Sequence, residues 1–254
     1  MMTGAGAIDI SLGTVAVLVL GGLVAGFINA LAGGGSAITI PILTEIAGPL
    51  VANGTNRIAI LAANLAAVAG FHRGGAVEWR RVWPLVPPTV VGAGVGAWAA
   101  TQVDGDIMKR VFAVVLILVA ASVVLKPARW VADRETSLSV ATRNIVFFGV
   151  GFYGGFVQAG VGFLLLISLV FGSGFNLING NGAKVVLVLA YTPVALALFA
   201  SANQVDWRLG AILASGQMTG AWIAARLAVK KGAPWVRWVL VFAAVVAAVR
   251  MLVS

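Results

Sequence analysis

Ten apolar runs, arranged in the same order twice, constrain this chain more than any single motif does. In the first half they cover residues 12–31, 36–47, 51–71, 82–100 and 111–125; in the second, 144–161, 163–171, 183–202, 209–229 and 236–253. A bilayer core of about 30 Å needs ~20 helical residues, so the short second run of each half predicts a partial or re-entrant helix and the others predict spans. With 61% hydrophobic and 10% charged residues among 254, the chain lacks the charged surface that a soluble domain of this size requires. The predicted fold class is all-α, a polytopic membrane protein of eight to ten transmembrane or half-spanning helices. Residues 1–11 carry no Lys or Arg, so the first run is expected to be a mature span and not a cleaved leader.

The two halves also match in detail, at a shift of 124 to 129 residues. Gly26-Phe27 answers Gly155-Phe156, Asn29 answers Gln158, and Gly33 answers Gly162. Val77-Glu78-Trp79 answers Val205-Asp206-Trp207, and Gly92, Gly96-Ala97 and Trp98 answer Gly216, Gly220-Ala221 and Trp222. An ordered series of this kind reads as a duplicated unit. The expected organisation is a first membrane repeat at 1–126, a cytoplasmic linker at 127–143 and a second membrane repeat at 144–254.

Loop charge orients the repeats. Connector 72–81 has net charge +2 while its counterpart 203–208 has zero; connector 102–110 has zero while its counterpart 230–237 has +3. Lys and Arg in short loops mark the cytoplasmic side, so equivalent loops are expected on opposite sides, in an inverted-topology repeat with both termini outside. The setting implied is a bacterial-type inner membrane. The net charge of +9 falls almost wholly in these connectors, which argues against a nucleic-acid partner. Trp79, Trp83, Trp130, Trp207, Trp235 and Trp238 lie near expected interfaces and read as anchors; His72, beside Arg73, reads as an interfacial loop residue.

Within the apolar field, two glycine-broken stretches occupy matching places: Gly26-Phe27-Ile28-Asn29-Ala30 followed by Gly33-Gly34-Gly35-Ser36, and Gly155 to Gly162 with Gln158 inside it. Paired interrupted segments in two membrane repeats point to a transport site near the bilayer midplane. Asn29 and Gln158 are candidate neutral donors to a ligand, or else partners of the backbone that each break frees. Ser36, Thr39, Tyr153 and Gln217 are lesser candidates of the same kind.

One run later, each half has a polar step, Asn53-Gly54-Thr55-Asn56-Arg57 and Asn179-Gly180-Asn181-Gly182-Ala183-Lys184. Each is expected to open a helix with its cation on the first turn, where free amides and the helix dipole favour an oxyanion. Taken singly, Arg57 and Lys184 read as side chains snorkelling to headgroups; as a matched pair they read as anion-binding. The candidate substrate-binding set is Asn29, Gly33, Gly34, Gly35, Ser36, Asn56, Arg57, Gln158, Gly162, Asn181 and Lys184.

Other chemistries find little material. One histidine and no cysteine supply no metal cluster, catalytic triad or haem pair, so neither enzyme activity nor a cofactor or metal is expected. The Gly33-Gly34-Gly35 run follows no strand, which argues against a dinucleotide turn. The spacings Gly92 to Gly96, Gly151 to Gly155 and Gly216 to Gly220 read as close helix contacts within the chain, or at a homodimer face.

The run from Gly26 to Ser36, Pro41, the Gly54-Thr55-Asn56-Arg57 step and the later Gly155-Phe156, Gln158, Gly160 stretch resemble the TauE/SafE family of sulfite exporters. The resemblance covers nearly the whole chain. It implies transport of a small sulfur-containing anion: sulfite, thiosulfate, sulfoacetate or another sulfonate. Some members carry cysteines thought to matter for function, and any such role is absent here. An anion channel, or a structural subunit of a membrane enzyme, are the alternatives. Only Glu45 among the carboxylates falls near the membrane interior, so export driven by the membrane potential is expected rather than a carboxylate proton relay.

Overall fold

The computed structural model describes residues 10–31, 33–125 and 138–253, and the regular structure among them is wholly helical. The parts of the expected linker at 127–137, Trp130 and the chain ends lie outside the described residues. The helices are α1 (Leu12–Leu31), α2 (Ser36–Ala47), α3 (Pro49–Arg73), α4 (Trp79–Val82), α5 (Val86–Thr101), α6 (Gly105–Leu125), α7 (Val140–Phe156), α8 (Val161–Ser173), α9 (Leu177–Ser201) and α10 (Trp207–Val253). A 3-10 turn, Trp83–Leu85, joins α4 to α5, so the two form one apolar run of 23 residues. The expected gap between runs 209–229 and 236–253 is a kink inside α10 at Gly232, whose φ of 77° no regular helix contains.

Length separates the spans from the half-spans. At ~1.5 Å per residue, α1 and α9 reach 30 Å or more, whereas the 12 residues of α2 and the 13 of α8 reach only about 18–20 Å. The sequence expectation of two short second helices therefore holds, with α8 two residues longer at each end than its apolar run. Glycines at positive φ bound these short helices: Gly33 before α2 and Gly48 after it, Gly160 before α8 and Gly174 after it.

Polarity is arranged as a bilayer demands. Leu20, Leu65, Val91 and Ile145 are exposed while Arg57, Lys184, Asn56 and Asn181 are buried. The largest apolar core takes Ala30 from α1, Ile60 from α3, Ala93 from α5, Phe147 from α7, Leu187 from α9 and Ala224 from α10, so the two halves share one interior.

Reciprocal crossings lock the halves together. Helix α1 crosses α10 with Gly26 against the backbone of Gln217 and Gly220 against that of Leu23. Helix α7 crosses α5 with Gly155 against Ala93 and Gly96 against Phe152. In each case a Cβ would fall within 3.0 Å of a carbonyl, so only glycine lets the backbones meet. Gly96, Gly155 and Gly220 belong to the small-residue spacings read from the sequence, and each packs inside the chain.

At the end bearing connector 72–81, Arg81 pairs with Glu78 at 2.7 Å, donates to the Ser173 carbonyl at 2.7 Å and covers the Phe175 ring. The Glu78 carboxylate also accepts from Asn179. His72 accepts from the Trp79 indole at 3.2 Å on the exposed surface, in keeping with an interfacial role.

Candidate functional site

The two glycine-broken stretches meet. Helix α1 stops at Leu31, Gly33 takes a φ of 81°, and α2 starts at Ser36. Helix α7 stops at Phe156, Gln158 and Gly160 take φ values of 69° and 73°, and α8 starts at Val161. A positive φ is uncommon outside glycine, so at Gln158 surrounding contacts must hold the backbone. Gly33 of one break packs directly on Gly162 of the other, which leaves no ligand space between those two residues. Four helix ends, two C-terminal and two N-terminal, converge there.

The cations are not where the sequence placed them. Helix α3 begins at Pro49 and α9 at Leu177, so Arg57 is the ninth residue of one and Lys184 the eighth of the other. Neither is on a first turn, and the Asn-Gly pairs are helical rather than turns. The polar steps instead hold glycines required for packing, Gly54 against the Gln204 carbonyl and Gly182 against the Ala76 carbonyl. Those reciprocal contacts are 128 residues apart on both sides, a register that sets Lys184 opposite Asn56 and not Arg57. The two cations are thus one residue out of strict correspondence.

Each cation closes the broken helix of the other half. Arg57 donates from Nη1 to the Gly154 carbonyl at 2.7 Å and to Gln158 Oε1, and from Nη2 to the Gly155 carbonyl at 2.7 Å and Asn53 Oδ1 at 3.2 Å. Asn53 in turn donates to the Phe156 carbonyl at 2.8 Å, so α3 satisfies three consecutive carbonyls at the end of α7. Lys184 donates to the carbonyls of Asn29 at 3.0 Å and Ala30 at 2.9 Å, at the end of α1, and to Asn181 Oδ1 at 2.7 Å. A cation at a helix C-terminus meets partial negative charge, which is why these ends tolerate burial. No buried carboxylate stands among the described residues: Glu45 is exposed, and the one ion pair, Arg81 with Glu78, lies at the surface.

The other candidates divide by what their polar atoms already do. Asn56 accepts from Thr39 at 2.8 Å and donates to Ser36 at 3.2 Å, tying the start of α2 to α3. Asn181 is used up by Lys184 and the Leu177 carbonyl, and Tyr153 donates to the Ala159 carbonyl within the break. Asn29 is half-buried and its carboxamide has no hydrogen-bond partner among the described residues. The N-caps of α2 and α8, Gly35 and Gly160, supply no side-chain cap; the first-turn amides of Ala37 and Ile38 donate to the Gly34 and Gly35 carbonyls, and those of Val161 and Phe163 to the Gln158 and Gly160 carbonyls. Gln217 is fully buried, and neither carboxamide atom has a hydrogen-bond partner among the described residues.

Three contributors were not in the sequence-derived set. Asn53 braces Arg57, Phe199 lies under its guanidinium at 5.0 Å, and Tyr191 is fully buried beside Gly154. Tyr191 did carry a signal, a phenol in the middle of an apolar run, of the kind that intramembrane polar groups give. Phe199 carried none.

Known proteins resemble this chain over most of its length. The family described as Sulfite exporter TauE/SafE matches residues 18–251. A probable membrane transporter protein of a Sinorhizobium species is 32% identical over 248 residues, 96% of this chain and 94% of that one. Another, from Haemophilus influenzae, is 29% identical over 231 residues, covering 90% of this chain and 91% of its own. The probable membrane transporter protein YfcA of Escherichia coli is 28% identical over 238 residues, 93% and 88% of the two chains. No solved structure matches.

Proposed function

Since this chain belongs to the TauE/SafE family of membrane transporters, we propose that it carries a small sulfur-containing anion, such as sulfite, thiosulfate or a sulfonate, out of the cell. The observation that carries this reading is a buried interior holding Arg57 and Lys184 and, among the described residues, no carboxylate. Each helix end contributes roughly half a charge, and the two C-termini and two N-termini at the breaks cancel, leaving the charge of the two cations uncompensated. An anion supplies what the site lacks. Its oxygens would meet the Asn29 carboxamide and the partial positive charge at the starts of α2 and α8.

Alternating access follows from how the halves are joined. Each cation belongs to one half and holds the broken helix of the other, so an anion drawing on both cations acts on the contacts between halves. The reciprocal crossings and the opposed loop charges support a pair of inverted repeats in a cell inner membrane. The test is binding and flux with the purified full-length protein, using sulfite, thiosulfate and methanesulfonate. Saturable uptake with counterflow in proteoliposomes is expected; absence of any ligand-dependent thermal shift and of any flux overturns the reading, and flux without counterflow makes it a channel.

A further inference from the structure

Two buried donors near the end of α7 have no acceptor among the described residues. Tyr191, on α9, is fully buried and its hydroxyl has no hydrogen-bond partner among the described residues. Arg57 is equally buried, and while its two terminal nitrogens are spent on α7, Gln158 and Asn53, its Nε has no acceptor among the described residues. Both side chains meet at Gly154, Arg57 through Nη1 and Tyr191 through its hydroxyl. The Gly154 carbonyl accepts from Arg57 at 2.7 Å, and the place a Cβ would take on Gly154 is 2.9 Å from the Tyr191 hydroxyl oxygen. Buried donors are nearly always paired in native proteins, so two orphans beside one residue mark a place where an acceptor belongs.

We propose that the Tyr191 hydroxyl and the Arg57 Nε–H together bind an oxygen of the transported anion. This rests on the anion-transport reading and deepens it: the substrate meets the Nε edge of Arg57, not its fork. Charge-assisted donors of this kind are the stronger class of hydrogen bond, and the phenol adds direction to a charge already present. The other side of the site is built differently. In the 128-residue register Ala63 stands where Tyr191 does, so the hydroxyl is present at one break only and the ligand is gripped asymmetrically. Tyr153, the only other tyrosine, spends its hydroxyl on the Ala159 carbonyl and has a separate, structural task.

The experiment compares full-length wild type with Tyr191→Phe, which keeps the ring and deletes the donor. Affinities for sulfite, thiosulfate and methanesulfonate are measured by calorimetry, and ligand-free thermal midpoints alongside. Expected is a tenfold or greater loss of affinity, equivalent to about 1.4 kcal/mol, with a ligand-free midpoint unchanged or raised because no bond within the protein is lost. Wild-type affinity in Tyr191→Phe overturns the proposal. So does a lowered ligand-free midpoint, which would mean that the hydroxyl serves the fold through an internal water. Wild type binding none of the three anions overturns the transport reading itself, a result distinct from both.

Discussion

Gly33 and Gly162 sit back to back, with room for a side chain on neither: a Cβ built on one would lie within 3.0 Å of the α-carbon of the other. In the match between the two sequence halves Gly33 answers Gly162, so the two breaks touch at a pair the sequence sets opposite each other. Gly162→Ala must push the breaks apart, at a cost of about 1–3 kcal/mol for forced overpacking. Gly33→Ala adds the strain of a side chain at a φ of 81°, roughly 1 kcal/mol more. Thermal unfolding in detergent is expected to rank wild type above Gly162→Ala above Gly33→Ala.

The cations and Asn29 separate stability from binding. Lys184→Met strips donors from the Asn29 and Ala30 carbonyls, and Arg57→Met from those of Gly154 and Gly155. Each buried group left unpaired costs about 1–3 kcal/mol, so both variants lower the ligand-free midpoint and weaken anion binding by far more than tenfold. Asn29→Ala removes a carboxamide that has no described partner, so it leaves stability near wild type and weakens binding only modestly. Unchanged anion affinity in both charge variants would reject the two-cation site.

The reciprocal crossings predict paired effects. Gly26→Val and Gly155→Val meet the Gln217 and Ala93 carbonyls in equivalent places, so they should lower the thermal midpoint by similar amounts and reduce folded yield. Gly149 has nothing within 4 Å of its missing Cβ. There, Gly149→Ala is expected to leave the midpoint unchanged or raise it, by up to about 1 kcal/mol of helix propensity.

Flux should follow the membrane potential. With no buried carboxylate among the described residues to relay protons, an anion crossing alone carries its charge through the field, worth about 2.3 kcal/mol per charge per 100 mV. Proteoliposomes clamped with potassium and valinomycin are expected to show efflux that accelerates as the interior becomes negative. Voltage-independent flux would refute potential-driven export.

Most of the helical layout was legible in the chain itself, because hydropathy and chain breaks are local. The α2 helix coincides with its apolar run at 36–47, and the glycines at 33 and 160 stand at the breaks where the sequence located them. Helix starts were less legible. The polar steps 53–57 and 179–184 read as the places where helices open, yet they lie inside α3 and α9, since Pro49 suits a first turn and Asn176 caps α9 through the Asn179 amide at 2.8 Å. Moving both starts back by two turns carried Arg57 and Lys184 from helix ends to helix interiors.

What the sequence determined by itself was the solvent of the protein, its spans, its two breaks and the short roster of polar residues that a bilayer interior must justify. Only the tertiary structure decided which of those residues remain free. A buried donor takes whatever acceptor the folded backbone brings to it, and the ends of α1 and α7 reach Lys184 and Arg57 through packing between halves more than 90 residues apart in the chain. Spacing along a sequence carries no record of that meeting. It therefore could not show that Asn56 and Asn181 are already spent, or that a tyrosine stands unpaired beside Gly154.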